Sequence, residues 1–142
     1  MIEVEIEDPA WTAALPEAAE LARRAARIAA GDSKSEIAIL LTSDDALRSL
    51  NGRFLGKDKP TNVLAFPADQ LDRLGDIALA FGVCRAEAAE QGKPLANHLR
   101  HLIVHGVLHL MGYDHTGEAD AARMEALEHD LLADMNIPDP YA

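Results

Sequence analysis

The chain has 142 residues, of which 49% are hydrophobic and 26% are charged, and its net charge is −11. This length suits one domain with a buried core, which we expect to span residues 1–142. The acidic balance excludes a protein that binds nucleic acid over its whole surface, so a polyanion would need a local basic patch or a metal ion. The single cysteine and the lack of any apolar stretch of roughly 18 residues indicate a cytoplasmic protein without membrane contact.

Strand and helix patterns alternate along the first half of the chain. Residues 2–7 alternate apolar and acidic side chains, which is the period of a strand with one wet face. Residues 35–43 are more continuously apolar and predict a central strand. Helices are predicted over 17–30 and, after a Ser43 N-cap, from 44 to about 54.

Two strands and three helices are predicted for the second half of the chain. A polar turn, GKDKPT, leads into strands at 62–67 and 76–81 that are joined by a loop. Helices are predicted at 84–91, 94–111 and 118–135. The order of elements predicts an α+β domain, with a small mixed β-sheet of about four strands packed against helices.

Histidines are concentrated in one short part of the sequence, since five of the six lie between residues 98 and 115. His98, His101, His105 and His109 are spaced so that they share one stripe of a helix, and the other faces of that helix are apolar. An imidazole buried without a partner costs about 1–3 kcal/mol. The clustering therefore indicates a shared partner, and a metal ion is one.

The segment HGVLHLMGYDH has the spacing of a three-ligand metal site. His105 and His109 are one helical turn apart and can converge on one point, and Gly112 favours the turn that returns His115 as a third ligand. Three neutral histidines leave the fourth tetrahedral position open, which is typical of a catalytic Zn²⁺ site, although imidazole also suits Cu, Fe and Ni. The fold would then be zincin-like, with a buried metal-bearing helix. His98 fits a structural role better than ligation, and so does His101.

The chemistry of such a site depends on what accompanies the metal. Metzincin proteases share the spacing HxxxHxxGxxH, but there a Glu that acts as the base follows the first histidine. Here that position is Gly106, so a peptidase would need a base from another segment. Phosphodiester cleavage mainly needs charge stabilisation from a metal and an arginine. Arg53 is the candidate, with Lys57 and Lys59 as a local basic patch, and the alternative is a solvated arginine at a helix end.

These segments together resemble the YbeY endoribonucleases, a bacterial family of rRNA maturation factors. The histidine segment, LNGRFLGKDKPTNVLAF, GDIALA and RMEALEHDLL all match that family's pattern. The resemblance implies a metal-dependent hydrolase that cleaves single-stranded RNA, matures the 16S rRNA 3′ end and serves ribosome quality control. It implies one zinc ion per chain on His105, His109 and His115, and a functional Arg53. The implied partners are rRNA, the small ribosomal subunit and its assembly factors.

Some positions depart from the family pattern or allow two interpretations. The family usually has Asp at Asn62 and Ser at Ala65 and Ala80, so contacts with the substrate could differ there. Asp114, beside the third ligand, could take a proton or orient a ligand, or could simply form a turn. Two other functions stay open: a metalloprotease-like hydrolase without the usual Glu, and a zinc-stabilised ribosome-assembly adaptor without turnover.

Overall fold

The computed structural model describes residues 1–70, 72–113 and 117–138, which form four strands and six helices. The strands are β1 (Ile2–Ile6), β2 (Glu36–Thr42), β3 (Val63–Gln70) and β4 (Arg73–Ala80). The helices are α1 (Ala10–Ala14), α2 (Ala18–Ala30), α3 (Asp44–Leu55), α4 (Phe81–Glu90), α5 (Leu95–Leu110) and α6 (Glu118–Asp134). No helix in these ranges is both long enough and apolar enough to cross a bilayer.

The strands form one mixed sheet in the order β1-β2-β4-β3. β1 and β4 flank β2 in parallel, and β3 pairs with β4 in antiparallel orientation. In this register Ile39 lies between Val4 and Ile77, so β2 is central, as its continuous apolar run predicted. The predicted α+β class with a four-stranded mixed sheet is therefore confirmed.

Helices cover the two faces of the sheet unequally. α2 and α5 pack on one face over a large apolar core that includes Ile39, Ile77 and Ile103. On the other face α3 covers a smaller cluster centred on Leu47. The histidine-bearing helix α5 therefore lies between the sheet and α6.

Two helices differ from the sequence prediction because side chains distant in sequence stabilise them. The five residues of α1 follow Pro9, where no helix was expected, and Trp11 is fully buried with its indole N–H donating to the Thr42 carbonyl at 3.0 Å. α4 begins at Phe81, three residues earlier than predicted. There the Asp44 carboxylate accepts the backbone N–H of Val83 at 3.0 Å, which satisfies one donor of the first turn.

The end of α5 has the geometry that its sequence predicted. The helix finishes at Leu110, and Gly112 adopts φ 100°, a left-handed conformation that favours glycine. The backbone N–H of Tyr113 then donates to the Leu108 carbonyl at 3.0 Å, as in a helix cap that reverses the chain. The backbone of residues 111–113 therefore leaves the helical path.

Candidate metal centre

His105 and His109 lie together on α5, close to its C-terminal end. Their ring centres are 4.8 Å apart and the ring planes are inclined by 74°. Two imidazoles that share one tetrahedral ion at about 2.0–2.1 Å per nitrogen have ring centres about 5 Å apart. Both side chains are partly exposed, so an ion and its substrate could reach them. The two rings therefore fit a shared transition-metal ligand pair.

A buried carboxylate from α6 supports the first of these two rings. Glu128 is 0% exposed, and its Oε1 lies 2.7 Å from Nδ1 of His105. An ionised carboxylate can only accept, so Nδ1 of His105 is the donor in this hydrogen bond. Nε2 is then the nitrogen of His105 that carries the lone pair for a metal.

The same carboxylate contacts a second histidine, one turn earlier on α5. Oε2 of Glu128 lies 3.2 Å from Nε2 of His101. The ring centre of His101 is 6.5 Å from that of His105, at an inclination of 75°. His101 therefore contributes to holding Glu128, which is consistent with the supporting role that its sequence position favoured.

A second carboxylate and histidine pair lies further towards the N-terminus of α5. His98 is 3% exposed, and its Nε2 lies 2.9 Å from Oε1 of Glu87 on α4. Burial lowers the pKa of His98, and this exceeds the opposing effect of its hydrogen bond to Glu87. Asn62 donates its Nδ2 to Glu87 at 3.1 Å and accepts the backbone N–H of Val63 at 2.7 Å. Because an ionised Asp could not donate to Glu87, an amide at position 62 suits this partner.

The predicted third ligand is not among the residues that the structure describes. His115 lies outside the described ranges, and so does Asp114. Within the described ranges no three histidine, cysteine, aspartate or glutamate side chains are grouped as a metal site. The ligand set of His105, His109 and His115 therefore stays a prediction, of which the first two members lie together.

The predicted basic residues lie around the C-terminal end of α3. Arg53 is exposed in the last turn of this helix. Lys57 and Lys59 follow it and line a groove of about 430 Å³, together with Asn62 and Glu87. This groove places the lysines next to the carboxylate that holds His98. The catalytic role of Arg53 stays a prediction.

A wider groove lies on the α3 side of the sheet, away from the histidines. It has a volume of about 920 Å³ and its lining includes Glu3, Arg23, Phe54 and Phe66. None of the histidines that the structure describes lines it. Arg23 also pairs with Glu20 at 2.9 Å. This groove is therefore not part of the candidate centre.

Sequence reasoning missed the two carboxylates that hold the histidines. Glu128 lies four residues from both Met124 and Leu132, which are fully buried, so the three share the inner face of α6. A carboxylate in the middle of an apolar stripe was the available signal. Glu87 gives no comparable signal, because its neighbours on α4 are a mixture of small and charged residues.

Comparisons with known proteins identify the family. The family model for endoribonuclease YbeY matches residues 3–136. A protein of Paramagnetospirillum magneticum named endoribonuclease YbeY is 49% identical over 99% of this chain and 94% of that protein. The chain belongs to the YbeY endoribonuclease family. A protein of Dinoroseobacter shibae with the same name is 46% identical over 99% of this chain and 90% of that protein.

The fold is also similar to that of a solved structure. The solution structure of TM1509 from Thermotoga maritima has a TM-score of 0.60 to this chain at 25% identity, and the match covers 96% of this chain and 92% of that one. The family predicted from the histidine segment is confirmed, and with it the enzyme class, a hydrolase of the nuclease type. The zincin-like description of the fold stays a prediction.

Proposed function

We propose that this chain is a metal-dependent endoribonuclease that cleaves single-stranded RNA, acting in rRNA maturation at the 16S 3′ end and in ribosome quality control. The proposal treats residues 1–142 as one hydrolase domain that works in the cytoplasm, with the small ribosomal subunit and its assembly factors as partners. The observation that carries it is the pair His105 and His109, with ring centres 4.8 Å apart, backed by the buried Glu128. Membership of a family named for endoribonuclease activity supports it.

The metal would be held by His105, His109 and His115, as one Zn²⁺ ion per chain. Neutral imidazoles suit this ion, and three of them leave a position open for substrate or solvent. When bound, such an ion supplies Lewis-acid stabilisation of charge on phosphoryl oxygens. The orientation of His105 by Glu128 is typical of histidines that ligate metals in proteins.

The chain's own residues would perform the remaining tasks of the reaction. Arg53, exposed at the end of α3, would offset negative charge that develops on the phosphoryl oxygens. Lys57 and Lys59, which share a groove with Glu87, would bind the RNA backbone. They would supply the local basic patch that an otherwise acidic protein needs in order to bind RNA. Asp114, next to the third ligand, would orient a ligand or accept a proton.

The packing of α5 favours the nuclease over the peptidase alternative. At Gly106 an added Cβ would lie 3.1–3.4 Å from side-chain atoms of Ile77, so this position faces the sheet. Glu128 does supply a carboxylate from another segment, but it is fully buried and contacts the Nδ1 side of His105. Neither position 106 nor Glu128 therefore provides a general base near the side of the His105 and His109 rings that would face the metal.

One digestion experiment separates the nuclease, the peptidase and the adaptor. Protein treated with a chelator, and the same protein restored with Zn²⁺, is incubated with labelled single-stranded RNA, with a duplex of the same sequence and with casein. We expect cleavage of the single strand only, present after Zn²⁺ restoration and absent in His109→Ala. Casein turnover would establish the peptidase, and no turnover of any substrate would leave the adaptor as the remaining alternative.

A further inference from the structure

We propose that Glu128 is the positioning residue of the metal centre. Its carboxylate fixes His105 as the tautomer that is protonated on Nδ1, so that the Nε2 lone pair is presented to the ion. This inference rests on the proposed metal centre and adds to it the residue that orients one of its ligands. It also assigns a function to α6, a helix that contributes no predicted metal ligand.

The first argument is the burial of the Glu128 carboxylate. Glu128 is 0% exposed among apolar neighbours that include Met124 and Leu132. Moving a carboxylate out of water is strongly unfavourable unless partners satisfy its oxygens. Oε1 contacts Nδ1 of His105 at 2.7 Å and Oε2 contacts Nε2 of His101 at 3.2 Å. The two imidazoles thus compensate for the burial.

The second argument is the direction of the two hydrogen bonds. Because a carboxylate accepts and does not donate, His105 must be protonated on Nδ1 and His101 on Nε2. The two histidines, one turn apart on the same helix, therefore hold opposite tautomers. Which nitrogen of an imidazole binds a metal is set by the hydrogen bond that the other nitrogen makes.

The third argument excludes Glu128 as a ligand of the same ion. The two nitrogens of an imidazole ring face away from each other, so a carboxylate on Nδ1 of His105 lies on the far side of the ring from Nε2. Both carboxylate oxygens of Glu128 are also engaged by histidines. The residue consequently acts on the ion through His105 and not by direct contact.

The contact also couples two helices. Glu128 joins α6 to two successive turns of α5 through His101 and His105. The orientation of the His105 ring then depends on the packing of α6, which leaves it less freedom than a ring on an isolated helix. Removing the carboxylate should weaken metal binding even where both helices remain folded.

The direct test is nitrogen-15 NMR of the histidine rings in metal-free wild-type protein at about pH 8, above the ordinary imidazole pKa of about 6.5. We expect His105 to be protonated on Nδ1 and His101 on Nε2. A His105 ring protonated on Nε2 would overturn the proposal. This readout requires neither a variant nor cleavage of RNA, so it is independent of the proposed nuclease activity.

The second test compares Zn²⁺ affinity between matched variants of α6. Glu128→Gln removes the charge and one of the two acceptors, whereas Asp130→Asn makes the same chemical change at an exposed position two residues away. By competition with a zinc chelator, we expect roughly 10–100-fold weaker binding in Glu128→Gln and unchanged binding in Asp130→Asn. Equal affinities in the two variants, with equal helix content by circular dichroism, would refute a positioning role.

Discussion

Replacing Gly106 by Glu would create the HExxH spacing of metal-dependent peptidases, and the structure predicts that it would destabilise the protein instead. Gly106 lies in the interface between α5 and the sheet. A Cβ added there would come within 3.1 Å of Cδ1 and 3.2 Å of Cγ2 of Ile77. These distances are shorter than ordinary van der Waals contact, so the helix or the β4 side chain must shift.

The expected loss of unfolding free energy has two destabilising contributions and one smaller opposing contribution. Overpacking of a well-filled interface costs about 1–3 kcal/mol, and a carboxylate buried there without a partner costs several kcal/mol more. The higher helix propensity of Glu over Gly returns less than about 1 kcal/mol. We therefore expect Gly106→Glu to lower the unfolding free energy by about 4 kcal/mol or more, a large share of the roughly 5–15 kcal/mol that stabilises a typical domain.

The matched control is Gly52, a helical glycine on the exposed surface of α3. An added Cβ there would meet only the Lys57 carbonyl at 3.7 Å, an ordinary contact. Gly52→Ala should therefore gain about 1 kcal/mol from helix propensity. Gly106→Ala has the same propensity gain and adds the contact with Ile77, so it should be about 1–3 kcal/mol less stable than Gly52→Ala.

Urea denaturation followed by circular dichroism measures these differences, and casein digestion checks the peptidase possibility in Gly106→Glu. If the two alanine variants were equally stabilised, the contact with Ile77 would not be tight. If Gly106→Glu were as stable as the wild type and digested casein, position 106 would face the metal and the packing argument would be wrong.

Other predictions concern a helix cap, a buried histidine and the candidate arginine. Asp44→Ala removes the acceptor for the Val83 backbone N–H, and should lower the unfolding free energy by about 1–2 kcal/mol in urea denaturation. Since burial lowers the pKa of His98, the unfolded chain takes up this proton first as the pH falls below about 6.5. Stability should decline with a slope of up to about 1.4 kcal/mol per pH unit from this group, and His98→Gln should flatten the profile. Arg53→Ala should slow cleavage of single-stranded RNA by about 100-fold, whereas Arg24→Ala, also exposed, should leave the rate unchanged.

Much of the fold follows from periodicity and from the residues that end each element. The helix predicted over 94–111 is α5, Leu95–Leu110, because its apolar pattern and the following glycine define it locally. The strand pair predicted at 62–67 and 76–81 forms a longer hairpin, Val63–Gln70 and Arg73–Ala80, because pairing resumes after a register shift near the turn. The helix that was not predicted, α1, depends on Trp11, whose hydrogen bond spans 31 residues.

The candidate site likewise has one part that the sequence predicts and another that depends on the packing of the fold. The convergence of His105 and His109 follows from a spacing of four residues on one helix, and the sequence predicts it without knowledge of the fold. The partner of His105 is Glu128, which is 23 residues away and on another helix. Such a pairing arises from the packing of α6 on α5, which no local pattern in the chain encodes.

X-ray absorption at the zinc edge of the wild-type protein, loaded with one equivalent of Zn²⁺, tests the central claim most directly. If His105, His109 and His115 share one ion, the spectrum will show three imidazole ligands and one light atom from solvent, and His115→Ala will show two imidazoles. A spectrum with four protein ligands would describe a closed structural site. One with fewer than three imidazoles in the wild type would contradict the proposed ligand set.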